Sequence, residues 1–150
     1  AALSRQHPRD LFDVKYMEYP LAATREGLMF CLLGSDRPIH ESFAPNLIDQ
    51  HDALYNQFEG MTDIPFTYEE FEHTRAGLIQ DVCSMMTPTD KSFLVSFEQG
   101  EPNWDNFDFG YFKNYPSVQW KLMNLGKLKR QNPAKLSAEA DKLKAIFADL

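Results

Sequence analysis

The sequence predicts an all-α fold, a helical bundle of about six helices. Three observations carry that expectation. Apolar residues recur at helical spacing along nearly the whole chain. Thr67 and Thr87 each stand three positions before an acid and just ahead of an apolar stripe. Pro8, Pro88 and Pro133 fall where helices would begin. A chain of 150 residues, 43% of them hydrophobic, suits one domain with a real core. No internal repeat or low-complexity tract divides it.

Pro8 opens the first helix, because its missing N–H costs nothing at the first helical position. Leu11 and Val14 share one face of it, with Phe12, Tyr16 and Tyr19 alongside. Pro20 closes that helix or starts the next. Over residues 21–33, Leu21, Leu28 and Leu32 form one stripe flanked by Ala22, Met29 and Leu33. Residues 34–38 (GSDRP) end it. Leu47, Leu54 and Phe58 mark a further helix that stops near Gly60. Thr67 with Glu70 forms a capping-box pattern before Phe71, Leu78, Val82 and Met85. Residues 87–90 (TPTD) repeat the device: hydroxyl cap, proline at the first position, acid in the first turn. Residues 93–97 (FLVSF) suit a strand by propensity, but the cap ahead of them predicts helix. Residues 100–116 (GEPNWDNFDFGYFKNYP) read as an ordered aromatic loop. Residues 118–128 and 133–150 close the bundle as antiparallel neighbours, with Trp120 expected as a core anchor.

The formal net charge of −7 argues against indiscriminate polyanion binding. Residues 1–120 carry 8 basic side chains against 19 acidic ones, whereas residues 121–150 carry 7 against 3. A basic end on an acidic body suits RNA, the acidic body of a neighbour, or a plain solvated helix face. The longest apolar run, residues 28–33, is far short of the ~20 residues that span a bilayer. No secretory signal opens the chain. Cys31 and Cys83 stand alone in apolar surroundings and read as buried free thiols; the sequence leaves a disulfide between them open. The expected location is cytoplasmic, with no membrane partner.

His7, His40, His51 and His73 show no zinc-site spacing. His7, before Pro8, reads as a helix-entry residue. Phosphate-loop, dinucleotide-binding and nucleophile-elbow motifs are all missing from the sequence. Asp105 and Asp108 sit among aromatics, which does not suit a metal pair. The unusual cluster is Arg5, Arg9, Asp10 and Asp13. Asp10 and Asp13 are helix neighbours whose like charges repel, so they call for a compensating cation. Arg9 can pair with Asp13 at i,i+4. One reading is a surface ion-pair network, with Asp10 favouring the helix N-terminus. In the other, Arg5 and Arg9 face a triphosphate while Asp10 and Asp13 orient them or a lysine from another element. Lys121 and Asn124, three apart, are candidates to be exposed or to reach a ligand across the bundle.

Residues 1–14 (AALSRQHPRDLFDV) resemble the third conserved motif of the AbiEii/AbiGii nucleotidyltransferase toxin family, loosely RxxxRDxxD. Arg5, Arg9, Asp10 and Asp13 match it position by position. Residues 115–125 (YPSVQWKLMNL) look like the family's closing pattern, and residues 96–105 (SFEQGEPNWD) are similar to the loop before it. The resemblance implies the C-terminal helical half of a longer two-domain protein. The missing half would have a DNA-polymerase-β-like nucleotidyltransferase fold carrying a Gly-Ser motif and metal-binding carboxylates. It further implies Mg²⁺ and an NTP in the intact enzyme, tRNA as a known type of acceptor in related toxins, and a separately encoded antitoxin. Asp10 and Asp13 would be the catalytic residues of this half. Arg5, Arg9 and Lys121 would contact the nucleotide. The Gly-Ser motif with its paired acids is not in this sequence, and the family lysine would fall just before Ala1. The chain is therefore expected to be inactive alone. Its start without Met suggests a fragment, with initiator-Met removal as the alternative. A competing expectation is a non-catalytic module that binds an antitoxin or other protein through Trp104, Phe107 and Tyr111.

Overall fold

The computed structural model describes residues 2–18 and 24–150, and every regular element among them is helical. In chain order the α-helices are α1 (Ala2–Arg5), α2 (Pro8–Lys15), α3 (Arg25–Gly34), α4 (His51–Ala53), α5 (Tyr68–Ser84), α6 (Pro88–Glu98), α7 (Pro116–Gln131) and α8 (Pro133–Ala148). Short 3-10 turns cover Ile39–Ser42 and Gly110–Asn114, and α4 runs on as a π-helical turn, Leu54–Phe58. Six of the α-helices have eight residues or more, which is the expected all-α bundle. None is long and apolar enough to cross a membrane among the described residues.

Capping chemistry sets the helix starts. Glu70 N donates to Thr67 Oγ1 at 3.2 Å, and Thr67 N donates back to Glu70 Oε2 at 2.8 Å. Thr87 and Asp90 close the same box ahead of α6, so residues 93–97 are helical despite their β propensity. At the end of α6, Gly100 takes φ 76°, where an L side chain would be strained. Gly100 N then donates to Phe97 O and Glu101 N to Ser96 O, which satisfies the last carbonyls.

Helix α2 packs on α5, α3 on α7, and both α6 and α7 on α8. Leu11, Met29, Leu33, Phe71, Leu94 and Phe97 meet at the centre with essentially no exposure. Burying each is worth about 1.5–3 kcal/mol relative to leaving it in water. The aromatic loop is ordered because its rings pack inward. Phe107 stacks on Phe93 with ring centroids 3.7 Å apart, and Trp104 lies 4.9 Å from the same ring.

Several expectations are corrected. Trp120 is 62% exposed and no core anchor: the buried stripe of α7 runs through Val118, Lys121 and Leu125, which turns position 120 outward. Leu47 is exposed in a loop, and the helix after it begins only at His51. Cys31 is exposed and Cys83 half-buried, and both are free thiols. Tyr19, Pro20, Leu21 and Ala22 lie outside the described residues.

Candidate functional site

Helix α1 ends at Arg5, and Gln6 then turns the chain with φ 51°, in the left-handed region. His7 caps α2, its Nδ1 accepting from Arg9 N at 3.2 Å, and Pro8 takes the first helical position. The turn folds Arg5 back over the start of α2. Its Nη2 lies 2.9 Å from both carboxylate oxygens of Asp10. Arg9 and Asp13, exposed on the next turn, form no ion pair among the described residues. The expected i,i+4 pair between them is therefore not made; Arg5 reaches a carboxylate instead, because the Gln6 turn brings it there. Arg5, His7, Arg9, Asp10 and Asp13 together line an open pocket of about 370 Å³.

A buried polar node holds this turn in place. The Gln6 side-chain amide donates to Asn46 O at 2.7 Å and accepts from Ile48 N at 3.1 Å and Arg75 Nη1 at 3.0 Å. Arg75 is buried, donates also to Ile48 O at 2.7 Å, and lies over the Phe71 ring. Gln50 Nε2 donates to Arg5 O at 2.9 Å. A left-handed non-glycine residue costs about 1–3 kcal/mol and persists only where its surroundings fix it; these bonds do so. The sequence alone does not single out Gln6 or Arg75. A signal was present for Arg75: it occupies a position of the apolar stripe Phe71, Leu78, Val82, where a cation must find buried partners.

Lys121 sits elsewhere. It is 6% exposed, and its Nζ donates to Leu32 O at 3.0 Å and Arg37 O at 2.8 Å. Burial pushes its pKa down, against the opposing pull of Glu98 and Asp36. Glu98 is 2% exposed, and its Oε2 has no hydrogen-bond partner. Burial pushes the Glu98 carboxyl up, while Lys121, the Ile39 N–H and His40 pull it down. The ammonium of Lys121 is committed to carbonyls at the α3–α7 junction, and Lys121 does not line the Arg5–Asp13 pocket.

His40 pairs with Glu139, and His51 pairs with Asp49 at 2.7 Å while stacking on Tyr68. His73 is exposed. Asp108 receives Arg25 at 3.0 Å; the same guanidinium holds the buried Asp90 at 2.6 Å. No three His, Cys, Asp or Glu side chains among the described residues are grouped to hold a metal ion.

Comparison with family models, curated proteins and solved structures gives no match for this chain. The chemistry of the pocket therefore rests on its own residues. Asp10 holds the Nη2 of Arg5 and leaves its Nε and Nη1 donors unspent, while Arg9 offers a complete fork. That arrangement suits an anion with several oxygens, such as a phosphate chain.

Proposed function

We propose that this chain is the helical half of a nucleotidyltransferase toxin of the AbiEii/AbiGii type, part of a toxin–antitoxin or abortive-infection system acting in the cytoplasm. In this reading the Arg5–Asp13 surface lines the NTP site for transfer to an RNA or protein acceptor. One observation carries it: the Arg5–Asp10 pair and the unpaired Arg9 and Asp13 line one open pocket beside a turn that a buried node holds. Arg5 and Arg9 neutralise phosphate charge as it shifts in the transition state. Asp10 is a positioning residue, and Asp13 lies beside Arg9 to orient it when an anion is bound. The acids here do not fit a Mg²⁺ centre, because Asp10 is already neutralised by Arg5 and no third ligand is grouped with them among the described residues. The chain alone is therefore expected not to catalyse transfer.

Calorimetry of the 150-residue chain with each NTP and Mg²⁺, wild type beside Arg9→Ala and Asp13→Asn, tests this. Wild-type binding weakened about tenfold or more in Arg9→Ala supports it, the scale of a lost charge-assisted hydrogen bond. Equal binding by wild type and Arg9→Ala, no binding at millimolar NTP, or turnover by the isolated chain overturns it.

The competing module, an antitoxin-binding surface on the aromatic loop, has less behind it. Phe107 is buried and Trp104 half-buried, so of the three rings only Tyr111 is presented outward.

A further inference from the structure

The outer face of α7 combines features that the fold does not use. Trp120 is 62% exposed and Met123 49% exposed. Lys127 and Arg130 follow at i+7 and i+10 from Trp120, on the same helix face, and both are exposed. The helix contains no Asp or Glu. Its other two cations are spent, Lys121 on carbonyls and Lys129 on Glu101. Lys127 and Arg130 have no ion-pair partner among the described residues, and neither does Lys135 in the first turn of α8, just past the α7–α8 corner. The Arg130 guanidinium lies back along the helix near Gly126.

We propose that this face is a platform for single-stranded RNA. A nucleobase stacks on the exposed indole of Trp120. The backbone then runs toward the α7–α8 corner, where Lys127, Arg130 and Lys135 meet successive phosphates about 10 Å and more along the helix axis. The exposed amides of Gln119 and Asn124 flank Trp120 and can engage ribose hydroxyls. An acidic protein helix is a poorer occupant. It needs apolar anchors over two turns or more, and beyond Trp120 and Met123 the exposed residues of this face are the amides of Asn124 and Gln131 and the cations Lys127 and Arg130. The inference rests on the outer face of α7 and the α7–α8 corner. It gives the acceptor of the proposed transferase a docking place, and it stands or falls independently of the nucleotide reading.

The test is fluorescence anisotropy of a labelled RNA of about eight nucleotides with the full chain, beside a DNA of the same sequence and a polyglutamate competitor. Expected are RNA binding that Trp120→Ala weakens about 5- to 150-fold and a log–log salt slope of about −2 for three phosphate contacts, which Lys127→Ala lowers by about 0.7. Arg9→Ala leaves this binding unchanged, even where it abolishes nucleotide binding. Absence of binding at low salt, or a Trp120→Ala variant that binds as wild type does, overturns the proposal. Equal affinity for the DNA overturns the assignment to RNA. Displacement by polyglutamate as effective as by unlabelled RNA points to an acidic protein partner and overturns it too.

Discussion

Replacing Lys121 by Met tests the placement of this residue in the fold rather than in a ligand site. The substitution keeps the volume of the stem and removes the ammonium. Two carbonyls, at Leu32 and Arg37, lose their donor at 3.0 and 2.8 Å. Glu98, already 2% exposed with one oxygen unpartnered, loses its nearby cation. Hydrogen bonds to a charged group are worth about 1.5–3 kcal/mol each, and removing one partner of a buried charge pair costs about 3–5 kcal/mol. The two routes agree on a loss of about 3–5 kcal/mol, or a Tm lower by roughly 6–20 °C for a domain of this size. The loss also depends on pH. Burial raises the Glu98 carboxyl and Lys121 opposes that rise, so without Lys121 it rises further. A raised carboxyl contributes stability that is fully present below its unfolded pKa and is lost as pH rises through its folded pKa. The deficit relative to wild type is therefore smallest near pH 4.5 and larger at about pH 8. The lowered Lys121 pKa has the opposite sign, adding wild-type stability as pH rises toward the unfolded lysine value. Urea unfolding of both proteins at the two pH values measures it. A deficit below about 1 kcal/mol, or one equal at both pH values, refutes the reasoning. Glu98→Gln added to Lys121→Met should recover part of the loss, because it removes the charge left stranded.

Asp90→Ala should cost about 3–5 kcal/mol in urea unfolding, since it strips Arg25 of its buried partner and opens the Thr87 cap; a loss under about 1 kcal/mol would show the pair to be dispensable. Thr67→Ala should cost about 0.5–2 kcal/mol by the same assay, with amide exchange rising at the first turn of α5; unchanged exchange there would deny the cap its role.

Local chemistry made the fold legible. Threonine three residues before an acid, proline at a first helical position and apolar stripes of period 3.6 are all short-range signals, and α2, α5, α6, α7 and α8 follow them. What failed needed long-range information. Helical spacing puts Trp120 beside the buried stripe of α7 but does not say whether a neighbour covers it, and among the described residues no helix does. Spacing alone predicts a helix through Leu47, but residues 46–48 run past the Gln6–Arg75 node as loop that offers backbone partners. The sequence places Arg5 and Asp10 in one cluster, but their pairing depends on a left-handed turn at Gln6 that a non-glycine residue does not announce.

The charged residues then sort by what each costs the fold. Arg25, Arg75, Lys121, Asp90 and Glu98 are buried or partly buried, and each but Glu98 has its polar groups matched at hydrogen-bond distance. Removing one of them unfolds structure before it reveals function, which is why none serves to probe a ligand. Arg9, Asp13, Lys127 and Arg130 are exposed, without ion pairs among the described residues, and sit on helices whose cores are complete without them. Substituting any of these should change stability by no more than about 0.5 kcal/mol, so a change in binding can be assigned to the contact itself. They also form two separate groups, one on the turn built by Gln6 and one on the outer face of α7. A nucleotide at the first and a strand at the second would be lost independently, and additive effects in an Arg9→Ala/Trp120→Ala double variant would establish two sites rather than one extended surface.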